Sequence, residues 1–229
     1  MVRLTKNIDE CVNSIQNGNI VVFPTETVYG MGANIYNENA VNKIFKYKNR
    51  PMSKPLIVHV NNFDQVPELI TLKDKELLFL KDIMEKLSPG PISFLLPKSN
   101  KVPNYITGDS SKVCIRIPSN ETALEFLKKV NTPICAPSAN LYCHASPTCT
   151  NHIIDDFFDK DFLILDDIYN DTVIGIESTI IEINFEDKSI ENEKIILKKY
   201  PFWTKLILKK KYNISEIKLD VSDLKKKTY

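Results

Sequence analysis

The sequence of 229 residues predicts one α/β domain built on a mixed sheet. Three observations predict it. Short apolar runs alternate with stretches of helical period. Several of those runs are bounded by proline and follow one another too closely for helix-linked parallel strands. Hydrophobic residues make up 43% of the chain and charged ones 26%, the balance of an ordinary globular protein long enough to bury a core.

Taken in order, residues 5–18 predict a helix with Ile8, Val12 and Ile15 on one face. Asn7 and Glu10 give it a capping-box start and Gly18 its stop. A strand follows over 20–23, then an unusual loop, "FPTETVYGMGAN", over 23–34. Residues 37–48 are helical, with Val41, Ile44 and Phe45 as the apolar stripe, and PLIVHV (55–60) is a strand. The clearest helix spans 73–87, where Leu77, Leu80, Ile83, Met84 and Leu87 share a side. ISFLLP, VCIRIP and PICAP are three further strands, the last two separated by a helix over 121–130. LILD, STIIEI and KIILKK complete the strands, followed by an amphipathic helix over 202–211. A catalytic domain is expected over 1–208, with a lysine-rich tail of weak apolar pattern over 209–229.

Net charge is +1, so no global field draws the chain to nucleic acid or membrane. No apolar run approaches the roughly 20 residues of a membrane span, and the N-terminus lacks the apolar centre of a secretory signal. The five cysteines are scattered and odd in number, which reads as reduced thiols and a cytoplasmic protein.

Four clusters carry the chemistry. The first is the loop after residue 23, where Thr25, Glu26, Thr27 and Tyr29 crowd side-chain oxygens at a strand end. The second is "FKYKNRPMSKPLIVHV", with Lys46, Lys48, Arg50 and Lys54 in nine residues. Two readings stay open for it: a solvated helix end whose cations suit the dipole, or a phosphate clamp. No P-loop and no G-x-G-x-x-G is present, so a nucleotide would be held without either cradle. The third is "APSANLYCHASPT", which sets Ser138 and Asn140 at another strand end; Ser146-Pro147-Thr148 reads as the cap of a following helix. Cys143, His144, Cys149 and His152 match no standard zinc spacing, and no structural metal is expected. The fourth is Arg116 in an apolar strand, where a permanently charged guanidinium must face outward or be paired; facing a cleft, it would anchor a carboxylate. Glu177-Ser178-Thr179 again places hydroxyls at a strand end.

These clusters, in this order, resemble the YrdC-type family, the threonylcarbamoyl-AMP synthases. The matching pieces are PTETVYGMG, K-x-R-P followed by KPL and His59, SPGP at 88–91, R-I-P at Arg116, P-S-A-N, S-P-T and E-S-T. The resemblance implies an open, twisted sheet with flanking helices around a large central cavity, in a single-domain form. It implies that L-threonine, bicarbonate and ATP, the last with Mg²⁺, give L-threonylcarbamoyladenylate and pyrophosphate. The product would feed a downstream threonylcarbamoyl transferase complex that modifies tRNA beside the anticodon. Carried over by position, Thr27, His59, Arg116, Ser138 and Ser178 would contact threonine, with the glycines of the first loop letting the backbone come close. Arg50, Lys54, Asn140 and Thr148 would contact ATP, Lys48 and Arg50 forming the catalytic basic pair. Three departures stand out. Tyr142-Cys143 replaces the usual Ser-Gly, Lys198-Lys199-Tyr200 replaces an Arg-x-Gly, with Lys198 keeping the charge towards ATP, and Ser93 follows SPGP where threonine is usual.

The alternatives are a YrdC-like module with weak binding to double-stranded RNA and a paralogue that adenylates another carbamoyl or acyl substrate. A non-catalytic scaffold fits poorly, because burying Arg116 and grouping Lys48 with Arg50 costs stability without return.

Overall fold

The structure, a computed structural model, describes residues 1–169, 172 and 174–184, together with the backbone of two further strands at 194–199 and 217–219. The elements run β1 (Arg3–Thr5), α1 (Ile8–Gln16), β2 (Val21–Phe23), β3 (Gly30–Asn34), α2 (Glu38–Lys48) and β4 (Ile57–His59). They continue through α3 (Asp74–Leu87), β5 (Ile92–Pro97), α4 (Asn104–Thr107), β6 (Lys112–Arg116), α5 (Glu121–Val130) and β7 (Ile134–Cys135). The last are α6 (Thr150–Phe157), β8 (Leu163–Leu165), β9 (Thr179–Asn184), β10 (Lys194–Lys199) and β11 (Ile217–Leu219).

Among the described residues these strands form one sheet in the order β1-β8-β2-β3-β7-β4-β6-β5-β9-β10-β11. Parallel pairs (β4 with β6, β5 with β9) stand beside antiparallel ones (β2 with β3, β5 with β6), so the expected mixed α/β sheet is what folds. No described helix is long and apolar enough to cross a membrane.

The helix ends follow sequence chemistry. Asn7 accepts the Glu10 amide at 3.2 Å, but the Glu10 side chain turns to Arg3, so only half of the expected capping box forms. Asn37 caps α2 in the same way, and Asn49 ends it in the left-handed region at φ 52°. The helix after Ser146-Pro147-Thr148 starts one residue later than expected. Its cap position is Cys149, and the Thr148 amide donates to His152 Nδ1 at 3.4 Å.

Two expectations need correction. The stretch 23–34 is not one loop, because its second half is strand β3, paired antiparallel with β2. Gly32 serves that hairpin: a Cβ there would stand 2.8 Å from the Phe23 ring and 2.9 Å from Ile134, so glycine is required by core packing and not by a ligand. The segment read as a tail contains β11, which adds to β10 in parallel. The helix expected over 202–211 lies outside the described residues.

The layering positions the site. Helices α1 and α5 pack with Val21, Phe23 and Ile134 on one side of the sheet, while α2, α3 and α6 pack on the other with Val58, Phe94, Leu96, Val113 and Ile115. On the central strands side chains alternate. Val58, Val113, Ile115, Phe94 and Ile181 enter the core. Ile57, His59, Lys112, Cys114, Arg116, Leu95 and Ile180 face the other way, where the sheet lines a cavity instead.

Candidate active site

That cavity has a volume of about 470 Å³. Strand β6 sets its floor: Lys112, Cys114 and Arg116 line it two residues apart, spanning roughly 13 Å. Register brings His59 of β4 and Ser93 of β5 opposite Arg116. Thr25, Thr27, Tyr29 and Gly30 enter from the first loop and β3, Arg50 from beyond α2, Ser138 from beyond β7, and Glu177 and Ser178 from the approach to β9. Thr27, Arg50, His59, Arg116, Ser138 and Ser178 are therefore brought to one cavity from six places in the chain.

Arg116 is 4% exposed and held on three sides. Its Nε donates to the Gly90 carbonyl at 3.3 Å, Nη1 donates to Thr27 Oγ1 at 2.9 Å, and Nη2 stands 2.8 Å from Glu26 Oε1. The Glu26 contact lacks hydrogen-bond geometry, so Nη2 and both Glu26 oxygens have no hydrogen-bond partner. Gly90 belongs to the SPGP turn, whose backbone is fixed by the Gly90 amide donating to Ile117 and the Pro91 carbonyl accepting from Thr179. That turn thus holds Arg116.

The first loop is wired from within. Thr25 Oγ1 donates to the Val28 carbonyl at 2.6 Å and lies 2.8 Å from Thr27 Oγ1, so the Thr27 hydroxyl donates to Thr25 while accepting from Arg116. Behind it, buried Asp167 accepts from Asn120, Thr122 and Thr172, and the Thr172 hydroxyl donates to the Thr25 carbonyl at 2.8 Å. Asp167 and Glu26 were not among the residues singled out as contacts. Their partners lie far off in sequence, and no local pattern announces them.

His59 is buried, stacks edge-on against Phe23 at 5.7 Å, and leaves Nδ1 without a partner. Burial first, and then the charge of Arg116, push its pKa down to about 3, so the imidazole is neutral. Ser178 Oγ lies 2.7 Å from Ser93 Oγ, both buried. The S-P-T and E-S-T motifs meet where Ser146 Oγ donates to Glu177 Oε1 at 3.3 Å.

The basic pair divides. Arg50 lines the cavity, its Nη2 donating to the Pro55 carbonyl at 3.0 Å. Lys48 does not line it: 1% exposed, it donates to the Ser138 carbonyl at 2.6 Å and to that of Asn140. Burial, and then Arg50, bring its pKa down to about 7. Asn140 faces inward, its Nδ2 donating to the Leu141 and His144 carbonyls at 2.7 and 2.8 Å. Lys54 and Thr148 are exposed and outside the lining, and the side chain of Lys198 lies outside the described residues. Lys112 completes the far end of the floor, paired with Glu182. Its two-residue spacing from Cys114 and Arg116 would have found it in the sequence.

Comparison with known proteins identifies relatives of the chain. The chain is 43% identical over 169 residues to the threonylcarbamoyl-AMP synthase of Pyrococcus abyssi, covering 74% of this chain and 48% of that one. It is 37% identical over 168 residues to the enzyme of the same name from Bacillus subtilis, covering 73% and 47%. The chain thus spans about half the length of these curated relatives. The crystal structure of P. abyssi Sua5 complexed with L-threonine superposes with a TM-score of 0.79 at 33% identity, over 97% of this chain and 63% of that one. Residues 13–196 match the Sua5_yciO_yrdC family, described as "Telomere recombination". With that match over most of its length, the chain belongs to the Sua5/YciO/YrdC family.

Proposed function

We propose that this domain is a threonylcarbamoyl-AMP synthase: it joins L-threonine, bicarbonate and ATP into L-threonylcarbamoyladenylate and releases pyrophosphate. The observation that carries the reading is Arg116, a buried guanidinium in a cavity wall whose Nη2, although 2.8 Å from Glu26 Oε1, makes no hydrogen bond. Such an edge suits a carboxylate. Thr27, Ser138 and Ser178 would surround the amino acid with hydroxyls, and His59 would contact it through Nδ1. With a pKa near 3, His59 is a poor base at neutral pH, so the contact role is the one assigned to it. The likeness to relatives named for this activity, and to a structure with threonine bound, supports the same reading.

The amine of threonine forms an N–C bond with bicarbonate, losing water, and gives a carbamate that is short-lived in water. The cavity shields it. A carbamate oxygen then attacks the α-phosphorus of ATP, and the bond from that phosphorus to the α,β-bridging oxygen breaks, the oxygen leaving with pyrophosphate. Positioning and charge stabilisation are what this displacement needs, and Arg50 supplies a cation at the cavity wall. Lys54, Asn140 and Thr148, all outside the cavity lining, and Lys198 are the remaining proposed nucleotide contacts, with Lys48 shaping the Ser138–Asn140 turn from behind. Mg²⁺ is expected with ATP. Among the described residues no three metal-ligating side chains gather to hold it, so the phosphate oxygens are its natural ligands, and the roles above belong to the protein's own groups. The product would pass to a transferase that moves the threonylcarbamoyl group to tRNA adenosine, in the cytoplasm where these substrates meet.

The test is pyrophosphate release with each substrate withheld in turn. Release only with threonine, bicarbonate and ATP together is expected, and Arg50→Ala should lower it by about 100-fold. Release that ignores threonine would sink the assignment.

A further inference from the structure

Arg50 carries a charge that enters no ion pair within the described residues. No carboxylate is paired with it among the described residues, its nearest charged neighbour in the chain is the cation Lys48, and its Nε is buried without a hydrogen-bond partner. What it does have is a ring. Its guanidinium carbon lies 5.8 Å from the centroid of Tyr142, within range of a cation–π contact.

The difference between a ring and a carboxylate matters here. A carboxylate would occupy the in-plane N–H edges of the guanidinium, the edges that grip phosphate oxygens in pairs. An aromatic face steadies the same charge from above the plane and leaves those edges free. The turn that carries Tyr142 is fixed to the helix end that carries Arg50. The Tyr142 amide donates to the Lys48 carbonyl at 2.8 Å, Lys48 Nζ donates back to Ser138 and Asn140, and Asp156 receives the Leu141 amide at 2.8 Å and sits 2.9 Å from His144 Nδ1. Ring and guanidinium are thus set by one braced unit.

We infer that Tyr142 is a positioning residue for Arg50: its ring holds the guanidinium against the cavity wall while Nη2 is tied to the Pro55 carbonyl, so that Nη1 is presented to the polyphosphate of a nucleotide. The inference rests on the proposed function for the identity of that ligand, a nucleoside triphosphate.

Calorimetric titration with a non-hydrolysable ATP analogue, and separately with inorganic tripolyphosphate, tests it. Tyr142→Leu is expected to weaken both by about fivefold, and Tyr142→Phe, which restores the ring, to recover binding to within about twofold of the native protein. In an Arg50→Ala background Tyr142→Leu should add less than about twofold, while L-threonine affinity stays unaltered throughout. Should Tyr142→Leu fail to fold, Tyr142→Met carries the same comparison. An undiminished affinity in Tyr142→Leu, or an equal loss with and without Arg50, overturns the inference; so does loss of the analogue alone, which would place the ring on the base. If Arg50→Ala weakens both probes and Tyr142→Leu neither, only the inference falls. If the native protein binds neither probe, the proposed function falls with it.

Discussion

Arg116 is a buried cation that the fold pairs with Glu26 but leaves without a hydrogen bond at Nη2. Its position was readable: an arginine at the end of an apolar strand, in step with Cys114 and Lys112, must share their face. Its partners were not, because Glu26, Thr27 and Gly90 reach it from distant parts of the chain. The same holds for Lys48, whose place beside Arg50 suggested a phosphate contact, while its ammonium turns to two carbonyls of another loop. Its titration gives a prediction. With a pKa of about 7 in the folded state and an ordinary value near 10.5 when unfolded, Lys48 binds its proton more weakly in the native protein. The cost of charging it is fully present below pH 7 and fades as pH rises towards 10.5, so this term makes the protein more stable with rising pH. Urea unfolding from pH 7 to 10 should show the native protein gaining on Lys48→Met by up to about 1.4 kcal/mol per pH unit. A constant difference would mean that Lys48 stays charged. Cys143 is a second local test. It sits in the left-handed region at φ 71°, just past Tyr142, a conformation that favours glycine. Cys143→Gly should exceed Cys143→Ala in stability by roughly 0.5–1 kcal/mol, measured by thermal melting; the reverse order would show that the turn is not strained there.

The elements that the sequence announced were those with a strong period or a clear cap. Helices α2 and α5 lie almost where the spans 37–48 and 121–130 put them, and Asn37, Asn49, Asn120 and Asn131 cap them. Strand β3 hid because three of its five residues are glycine or alanine, poor strand formers whose place is set by the Phe23 ring and by pairing with β2 and β7. A hairpin of that composition is a tertiary product and leaves little local trace. The SPGP turn shows the opposite case. Its motif was visible, but its task, holding Arg116 through Gly90, follows only from the register of β5 with β6.

At the scale of the whole molecule the cavity exists because the helices cover the two sides of the sheet unequally. Over β4, β6, β5 and β9 the core-facing residues are apolar, and the opposite row changes to Arg116, His59, Ser93 and Ser178. The ordered motifs located that row, and alternation explains why it faces one space. Catalytic use of the cavity requires that it take an amino acid through Arg116. Calorimetric titration of L-threonine into the native protein and into folded Arg116→Ala tests this most directly. The account predicts saturable binding to the native protein and a loss of about 100-fold in the variant. Equal affinity in the two, or no threonine binding to the native protein, would contradict it.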